Sequence, residues 1–364
     1  MQALHPVTIP QHMLATVLSR PDGIAALAPE TFETPTPAPD EVLVRVATVG
    51  LNRRDLDIIH GSAHTERVRL PLILGMDPAG VVAEVGGEVT DVALGERVVV
   101  KPSISCTTCV HCRAGRDDAC ERITSIGVDR HGGMAEYVAV PARNVARIPT
   151  GIGFAEASAI AMSNAIALTL LRRVEADAGE AVLVSGASGA VGSAVVQLAR
   201  MRKARVIAVV GSKHGAQWLR ALPSDVAPEL VIDRSASPDV SALVHERFPD
   251  GAGVYVETTS DPDGWREALR SLRPGARIAV VGAHAGPIVE LDNEWLYRRR
   301  VTIHGCWGST LAAFHDVLRM AGEGRIAPNI DSIQPMSKVA AAYQRLIDHN
   351  NEGKVILRVA DDVD

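Results

Sequence analysis

Six short apolar runs between residues 181 and 306 constrain the fold of this chain more than any other feature. Segments with apolar residues three and four positions apart, as in surface helices, separate the first five runs. Such alternation of β-branched strands with helices indicates a parallel sheet covered on both faces. The strands are expected at 181–186, 204–210, 229–233, 253–258, 276–282 and 301–306, and the helices at 190–202, 213–222, 238–248 and 264–273. The predicted fold class is therefore α/β, with the six strands of a complete doubly wound Rossmann sheet.

A glycine-rich turn, GASGAVG at 186–192, follows the first strand and opens the first predicted helix. A dinucleotide site needs a residue without a side chain where the pyrophosphate approaches, and a small residue where the helix meets the strand. Gly189 and Gly192 meet these two needs. The N–H groups at the start of the helix can receive the phosphate, so the turn predicts a dinucleotide cofactor.

The end of the second strand indicates which dinucleotide is bound. Enzymes that use NAD usually carry an acid there to hold the ribose hydroxyls, whereas this chain reads VVGSK at 209–213. Ser212 can donate to a 2′-phosphate, Lys213 can neutralise it, and Arg234 after the third strand can lie over the adenine. These residues favour NADP(H), although Lys213 can also simply begin a solvated helix.

Four of the five cysteines lie close together, in the pattern C-x2-C-x2-C-x7-C. They are Cys106, Cys109, Cys112 and Cys120. Four thiolates at this spacing can surround one tetrahedral zinc ion and leave no position open for water or substrate, so we expect one structural zinc. A disulfide pair, an iron–sulfur cluster and coincidence are the alternatives; ferredoxin motifs continue with x3-C-P, which this segment lacks. Cys306, in the apolar run VTIHGC, is expected to be a buried thiol.

Composition and charge exclude several classes of partner. The net charge is −6, from 37 basic and 43 acidic residues, without a long run of either sign. This gives no footprint for nucleic acid or for an anionic membrane. The N-terminal residues 1–20 lack the continuous apolar stretch of a signal peptide, and the apolar windows 157–171 and 181–199 are interrupted by polar residues or glycine. The expected location is the cytoplasm, and both windows are expected in the core.

Taken together, these segments resemble the medium-chain dehydrogenase/reductase superfamily, and most of all its zinc-type alcohol dehydrogenase-like and quinone oxidoreductase branch. The resemblance covers about residues 14–359. Its landmarks are PDEVLVRVATVGLNRRDL, LPLILGMDPAGVVAEVG, GERVVV, the cysteine lobe (about 104–122), GGMAEYVAVPARN, GASGAVG, LRPGARIAVVG and GKVILRV. The resemblance implies a GroES-like catalytic domain at 1–153 and 308–364, a Rossmann domain at 154–307, and a homodimer paired through the edge strand 301–306.

The chain departs from this family at the ligands of the catalytic zinc. The resemblance assigns the three ligand positions to Asn52, Met76 and Met162, and neither Ser163 nor Asn164 restores a good ligand if the third position shifts. Asn and Met cannot replace thiolate and imidazole around zinc. We therefore expect the catalytic metal to be absent, which puts the oxidation of simple alcohols in doubt.

Without a metal, hydride transfer to a conjugated acceptor is easier than transfer to a simple ketone, because hydrogen-bond donors can hold the distant oxygen. The expected function is NADPH-dependent reduction of an activated C=C bond (enone or enoyl thioester) or of a quinone. An alcohol or aldehyde dehydrogenase with unusual ligands, and an NADP(H)-binding protein without redox turnover, remain alternatives. The catalytic candidates are Asn52 beside the nicotinamide, Arg53 as an anion-binding group and His60 as a proton donor, with solvent as the alternative donor.

Further positions follow from the resemblance alone. On the cofactor side it implies Ser188, Gly189, Ala190, Val191, Gly192, Ser212, Lys213, Arg234, Gly282, Ala283 and the loop Cys306-Trp307-Gly308. Lys354 in the closing GKVIL is expected to reach a phosphate. Arg54 and Asp55 are expected to form a structural ion pair, and loop formation is the alternative role for Asn52.

Overall fold

The computed structural model describes residues 8–62 and 67–360, so residues 1–7 of the N-terminal argument lie outside the described residues. The chain divides into two compact units, Met1–Met162 with Thr310–Asp364, and Ser163–Ser309. The first division falls inside the helix Phe154–Arg173, whereas the sequence analysis places a boundary where this helix begins. A residue pattern marks the start of an element but does not show which core each turn of it joins.

The first unit contains most of the strands of the described chain. They are β1 (His12–Leu18), β2 (Leu27–Glu33), β3 (Glu41–Gly50), β4 (Leu72–Ile73), β5 (Asp77–Val85), β6 (Arg97–Val100), β7 (Ser103–Ile104), β8 (Thr124–Ser125), β9 (Tyr137–Pro141) and β10 (Val145–Arg147). The helices of this part are α1 (Arg53–Ile59), α2 (Val110–Arg113) and α3 (Phe154–Arg173).

The second unit follows as regular alternation of strand and helix. Its strands are β11 (Ala181–Ser185), β12 (Arg205–Val210), β13 (Leu230–Asp233), β14 (Ala252–Glu257), β15 (Leu272–Val280) and β16 (Thr302–Gly305). Its helices are α4 (Ala190–Met201), α5 (Lys213–Arg220), α6 (Val240–Arg247), α7 (Pro262–Arg270) and α8 (Asn293–Arg299). The chain then returns to the first unit with α9 (Leu311–Gly322), β17 (Ile330–Pro335), α10 (Val339–Ile347) and β18 (Lys354–Arg358).

Strand β3 is the centre of the first unit. Its sequence, EVLVRVATVG, is buried at every position except Arg45, which is half-buried, so the strand is covered on both faces. The sheet has the order β10-β6-β5-β3-β18-β17, and β9 also pairs with β3. Strand β18 lies antiparallel beside β3, with Leu357 opposite Val49. The last strand of the chain is thereby brought to the end of β3, next to α1.

The second unit confirms the predicted Rossmann sheet. Its six strands are all parallel and have the order β13-β12-β11-β14-β15-β16, which is 3-2-1-4-5-6 in chain order. The order reverses between β11 and β14, where a dinucleotide crosses such a sheet. The fifth strand begins at Leu272, earlier than predicted, because Leu272 pairs with Ala252 before a register shift that interrupts the apolar pattern.

Helix α3 has the length and apolar composition of a membrane span, and 83% of its most apolar window is buried inside the protein. Ala157 and Ile160 in its first half are 0% exposed, and Leu170 and Leu171 near its end are equally buried. Its apolar surface is therefore used for packing, as expected of a core helix. Among the described residues no other helix passes the same test.

Candidate functional site

The glycine turn has the geometry that the sequence predicts. Gly186 adopts a left-handed φ of 60°, and a Cβ atom on Gly192 would lie 2.1 Å from the carbonyl oxygen of Gly186, so α4 packs directly on the turn. A Cβ on Gly189 would meet only that same oxygen, at 3.4 Å, an ordinary contact. The fold therefore requires glycine at 192 but not at 189. The open space at Gly189 fits the close approach of a pyrophosphate to the start of α4.

The turn is backed by the start of α5. Ser212 is the N-cap of this helix, and its Oγ accepts a hydrogen bond from the Gly215 backbone N–H at 3.1 Å. A Cβ on Gly215 would lie 2.7 Å from the Oγ of Ser188, so the two loops pack closely. Lys213 begins α5 and is exposed. The Ser212 hydroxyl still has its own proton to donate, which fits a hydrogen bond to a 2′-phosphate.

Arg234 lies after β13 and forms an ion pair with Asp261, with 3.0 Å between Nη1 and Oδ2. Asp261 is the N-cap of α7 and accepts hydrogen bonds from the backbone N–H groups of Asp263 and Gly264. The guanidinium is about one-quarter exposed and is held by a helix start. Asp261 therefore fixes the position of Arg234, and this pairing was not predicted from the sequence.

A buried network at the end of β14 was not predicted from the sequence. Glu257 is 1% exposed, and its Oε1 accepts hydrogen bonds from the Ser185 hydroxyl and the Ser260 N–H, both at 2.8 Å. Its Oε2 accepts one from the Tyr255 hydroxyl, and burial raises the pKa of this tyrosine well above its usual value. Ser260 Oγ in turn donates to the Gly282 carbonyl at 2.8 Å. The only signal was an acid ending an apolar strand, VYVE.

The remaining cofactor candidates lie in the loops after β15 and β16. Gly282 has a left-handed φ of 89°, and both Gly282 and Ala283 are exposed. Trp307 is 53% exposed directly after the edge strand β16. Cys306 is half-buried rather than buried, because it stands at the end of an edge strand and not inside the sheet. That part of the sequence analysis is wrong.

The cysteine lobe brings its four thiols together. The Sγ atoms of Cys106, Cys109, Cys112 and Cys120 all lie within 4.8 Å of one another, and no other group of three or more potential His, Cys, Asp or Glu ligands occurs among the described residues. A hydrogen bond from Arg122 lowers the pKa of Cys106 to about 5, whereas desolvation raises the pKa of Cys112 to about 12. A dication favours the thiolate at every ligand. This donor set fits one closed structural zinc site.

The lobe is anchored to the rest of its unit by buried charges. Asp117 accepts hydrogen bonds from the Leu311 N–H at the start of α9, at 3.0 Å to each carboxylate oxygen. Lys101, 1% exposed, lies 3.4 Å from Asp117 and 2.5 Å from the Ser103 hydroxyl oxygen. The lobe therefore connects to both the sheet and the first helix after the second unit.

The three catalytic candidates lie at both ends of α1. Asn52 is the N-cap and shares a capping box with Asp55, and Arg53 is the first helical residue. His60 is the C-cap, and its ring Nδ1 lies 2.8 Å from the Leu56 carbonyl oxygen. The seven residues of α1, about 10 Å of helix, separate His60 from Asn52. The structure thus groups Asn52 with Arg53 and leaves His60, which is exposed, away from them.

Among the described residues, Arg53 has a directed contact with a histidine far along the chain. Its Nη2 lies 2.9 Å from the Nδ1 of His349. Because a guanidinium only donates, Nδ1 must accept, so the imidazole is neutral and carries its proton on Nε2. Desolvation and the Arg53 charge both lower the pKa of His349, and burial lowers the pKa of Arg53. His349 holds a left-handed φ of 51°, where helix ends usually carry glycine.

A buried ion pair lies beside Asn52. Lys354 at the start of β18 is 2% exposed, and its Nζ is 2.5 Å from Asp77 Oδ2 and 2.6 Å from Asn52 Oδ1. Asn52 Nδ2 donates to the same Asp77 oxygen at 3.1 Å. A Cβ on Gly50 would lie 2.5 Å from Lys354 Cε, so a larger residue there would displace the lysine side chain. Lys354 belongs to this internal network, which contradicts its predicted reach to a phosphate.

Asp55 is fully buried and is not paired with Arg54, contrary to expectation. Arg54 lies 3.5 Å from Asp57 instead, one helical turn along. Asp55 Oδ2 accepts hydrogen bonds from the Asn52 N–H and the Tyr343 hydroxyl, both at 2.9 Å. Desolvation, opposed by these bonds, raises the pKa of Asp55 to about 7. Burial and the Asp55 charge raise the pKa of Tyr343 well above its usual value.

The side chains at the three ligand positions that the resemblance assigns, Asn52, Met76 and Met162, do not fit a catalytic zinc. Met76 is 5% exposed within the hydrophobic core of the first unit, and Met162 packs against the same core. Ser163 and Asn164 are each 3% exposed in α3 and belong to the second unit. An amide and two thioethers, next to an ammonium, offer zinc no thiolate or imidazole.

Comparison with known proteins adds family matches along most of the chain. The model of the alcohol dehydrogenase GroES-like domain matches residues 38–150, and that of the zinc-binding dehydrogenase matches residues 190–323. A solved NAD-dependent alcohol dehydrogenase is 30% identical with a TM-score of 0.88, over 96% of this chain and 100% of that protein.

Two curated relatives differ in the reactions that they are named for. L-threonine 3-dehydrogenase from Pyrococcus furiosus is 28% identical over 89% of this chain and 90% of its own length. Acryloyl-coenzyme A reductase from Metallosphaera sedula is 27% identical over 89% of this chain and 94% of its own length. An L-threonine 3-dehydrogenase and an acryloyl-coenzyme A reductase are therefore about equally similar to the chain.

Proposed function

Since this chain belongs to the medium-chain dehydrogenase/reductase superfamily, we propose that it is an NADPH-dependent reductase of an activated C=C bond or of a quinone, acting without catalytic zinc. The chain is an oxidoreductase of this superfamily. Its relatives include an acryloyl-coenzyme A reductase and an L-threonine 3-dehydrogenase, which favour C=C reduction and alcohol oxidation as its two candidate reactions. The observation that carries the finer proposal is the donor set at the metal position. Asn52, Met76 and Met162 hold the positions at which a zinc-dependent member of the family needs thiolate and imidazole.

The cofactor proposal rests on the second unit. When bound, the nicotinamide supplies a hydride. The start of α4 at Gly189 offers N–H groups for the pyrophosphate, and Ser212 with the exposed Lys213 supports a 2′-phosphate. No acid ends β12, where NAD-dependent enzymes usually carry one.

The substrate proposal rests on the polar groups of the first unit. In a conjugated acceptor, hydride adds to the β-carbon, negative charge moves to the carbonyl oxygen, and a proton adds to the α-carbon. Hydrogen bonds from polar groups at the start of α1 can hold that oxygen in place of a Lewis acid, with Arg53 and the Nε2–H of His349 as donors. The proton comes from solvent or from His60.

The test is NADPH consumption by purified protein with a panel of enones, quinones and enoyl-CoA esters, together with metal analysis. We expect turnover with one acceptor class and one zinc per chain. The product should be saturated at the C=C bond for an enone or enoyl-CoA ester, and a hydroquinone for a quinone. Absence of NADPH consumption with every class would overturn the proposal.

The second candidate is alcohol or aldehyde oxidation, which the dehydrogenases among the relatives favour. Metal analysis separates it from the first. Two zinc ions per chain and oxidation of alcohols with NAD(P)+ would establish this candidate, and one zinc with no alcohol oxidation would exclude it.

We also propose a homodimer that pairs through β16. This strand ends the six-stranded sheet and has a neighbour, β15, on one side only. Exposed apolar side chains lie nearby in sequence, with Ile288 79% and Tyr297 66% exposed. An open edge of this kind is a template for pairing with a second copy.

A further inference from the structure

Glu257 is a buried carboxylate at the carboxyl end of β14 to which the proposed reaction gives no role. It is 1% exposed, and every hydrogen bond that it accepts comes from a neutral hydroxyl or a backbone N–H. A carboxylate that only accepts hydrogen bonds is ionised. Burial of such a charge is unfavourable unless hydrogen bonds or a nearby positive charge offset it. The second unit therefore keeps a negative charge inside its sheet.

The hydrogen bonds of Glu257 connect the loops at the carboxyl ends of β11, β14 and β15. Ser185, the last residue of β11, donates to Oε1 at 2.8 Å, and the Ser260 N–H after β14 donates to the same oxygen at 2.8 Å. The Ser260 hydroxyl then donates to the Gly282 carbonyl after β15, at 2.8 Å. Thr258 adds a further link, because its hydroxyl donates to the Ser185 carbonyl at 2.8 Å. One carboxylate thus holds three loops beside the point where the strand order reverses.

These loops lie where the nicotinamide half of the cofactor is expected. The 2′-phosphate is proposed beside Ser212 at the end of β12, and the pyrophosphate beside Gly189 at the start of α4. A dinucleotide that extends across the carboxyl edge of the sheet must then place its other half over β14 and β15, on the far side of β11. The charge of Glu257 lies on this side.

A fixed negative charge on this side acts differently on the two forms of the cofactor. The nicotinamide ring is positively charged in NADP+ and neutral in NADPH. Opposite charges attract each other more strongly inside a protein than in water, so a buried carboxylate favours the oxidised ring. When a hydride moves from the ring to the acceptor, the ring becomes a cation. The same charge therefore favours hydride transfer from NADPH.

We propose that Glu257 sets the balance between oxidised and reduced cofactor: its buried charge stabilises the cationic nicotinamide, and its hydrogen bonds position the loops that receive the ring. This role of Glu257 rests on the proposed function for the identity of the cofactor, but it does not depend on the acceptor. It gives a function to a charge that the fold buries without a basic partner for its carboxylate oxygens.

The test compares the dissociation constants of NADP+ and NADPH, measured by calorimetric titration of native protein and of Glu257→Gln. The amide oxygen can accept the bonds of Oε1, and the amide nitrogen can donate to the Tyr255 oxygen, so this variant loses the charge and keeps the loops connected. We expect NADP+ affinity to fall about tenfold or more and NADPH affinity to change less than about threefold. An unchanged ratio of the two affinities would overturn the electrostatic role.

Glu180→Gln is the matched control. Glu180 is also a glutamate of the second unit with a buried side chain (7% exposed), but it precedes β11 at the opposite edge of the sheet and pairs with Arg273 and Arg277. We expect this variant to be less stable in urea and to keep the ratio of the two affinities within about twofold, because its charge lies far from the cofactor loops. An equal change of the ratio in this control would overturn the assignment to Glu257.

Ser260→Ala tests the positioning of the loops separately from the charge. It removes the hydroxyl bond to the Gly282 carbonyl and keeps both the Glu257 charge and the Ser260 N–H bond. We expect NADP+ and NADPH to bind about 3- to 10-fold more weakly, by a similar factor, as loss of one hydrogen bond does. Unchanged affinity for both forms would overturn the positioning role.

The native protein separates failure of this role from failure of the proposed function. If it binds neither NADP+ nor NADPH, the proposed cofactor is wrong and the role of Glu257 falls with it. If it binds both and the ratio does not change in Glu257→Gln, only the role of Glu257 is rejected.

Discussion

Asp55 shows how one buried residue links the candidate site to pH. Its carboxyl is 0% exposed, with Oδ2 accepting two hydrogen bonds and Oδ1 accepting none among the described residues. Two donors on Oδ2 leave Oδ1 to carry the proton. Desolvation raises the pKa of this group to about 7, so the folded chain holds the proton at a pH where the unfolded chain has lost it.

The stability of the fold should therefore decrease as the pH rises. The raised pKa gives a contribution that is complete below about pH 4, the unfolded value, and is lost as the pH approaches 7, by on the order of 4 kcal/mol. In Asp55→Asn the amide oxygen accepts the same two bonds without titrating, so the unfolding free energy should vary less between pH 4.5 and 7.5. Urea unfolding of both proteins across this range is the measurement, and identical slopes would contradict the assignment to Asp55.

The two glycines of the cofactor turn provide a second comparison at the scale of single residues. A Cβ on Gly192 would stand 2.1 Å from the Gly186 carbonyl oxygen, whereas one on Gly189 would stand 3.4 Å from it. Gly192→Ala should lower the unfolding free energy by about 1–3 kcal/mol through overpacking. Gly189→Ala should keep its stability within about 0.5 kcal/mol and weaken NADPH binding, because its methyl group enters the open space at the helix start. Urea unfolding and NADPH titration measure both, and normal NADPH affinity in Gly189→Ala would count against the site.

At the scale of elements, the second unit was predictable and much of the first was not. Parallel strands are continuous apolar runs, so the six strands could be read from local sequence, and β15 was misplaced only where a register shift breaks its pattern. The site of the first unit depends on contacts between distant residues. Lys354 lies 302 positions from Asn52 and 277 from Asp77, and no local pattern records such a pairing. Family resemblance located both Asn52 and Lys354, but it assigned the lysine to a phosphate and did not pair it with Asn52 and Asp77.

The start of α5 allows a test of cofactor choice that leaves the helix intact. Ser212→Asp should keep the N-cap bond to Gly215, because aspartate caps helices as well as serine does. Its charge should repel a 2′-phosphate and hold ribose hydroxyls instead, so the ratio of NADPH to NADH affinity should fall about tenfold or more. Ser212→Ala is the control: it loses about 1 kcal/mol of capping without adding charge. Titration with both cofactors is the measurement, and an unchanged ratio in Ser212→Asp would place the 2′-phosphate elsewhere.

At the scale of the whole molecule, the proposed dimer can be tested through the outer side of β16. The Cys306 N–H donates inward to the Val280 carbonyl, and successive N–H groups of a strand alternate in direction, so the N–H of Ile303 points outward. Ile303→Pro removes an outward donor while leaving the inward bonds to β15 in place, because edge strands tolerate proline on their open side. We expect this variant to be monomeric by light scattering and Ile303→Val to remain dimeric. A dimer that persists in Ile303→Pro would mean that the copies meet through another surface, and a monomeric native protein would remove the proposal altogether.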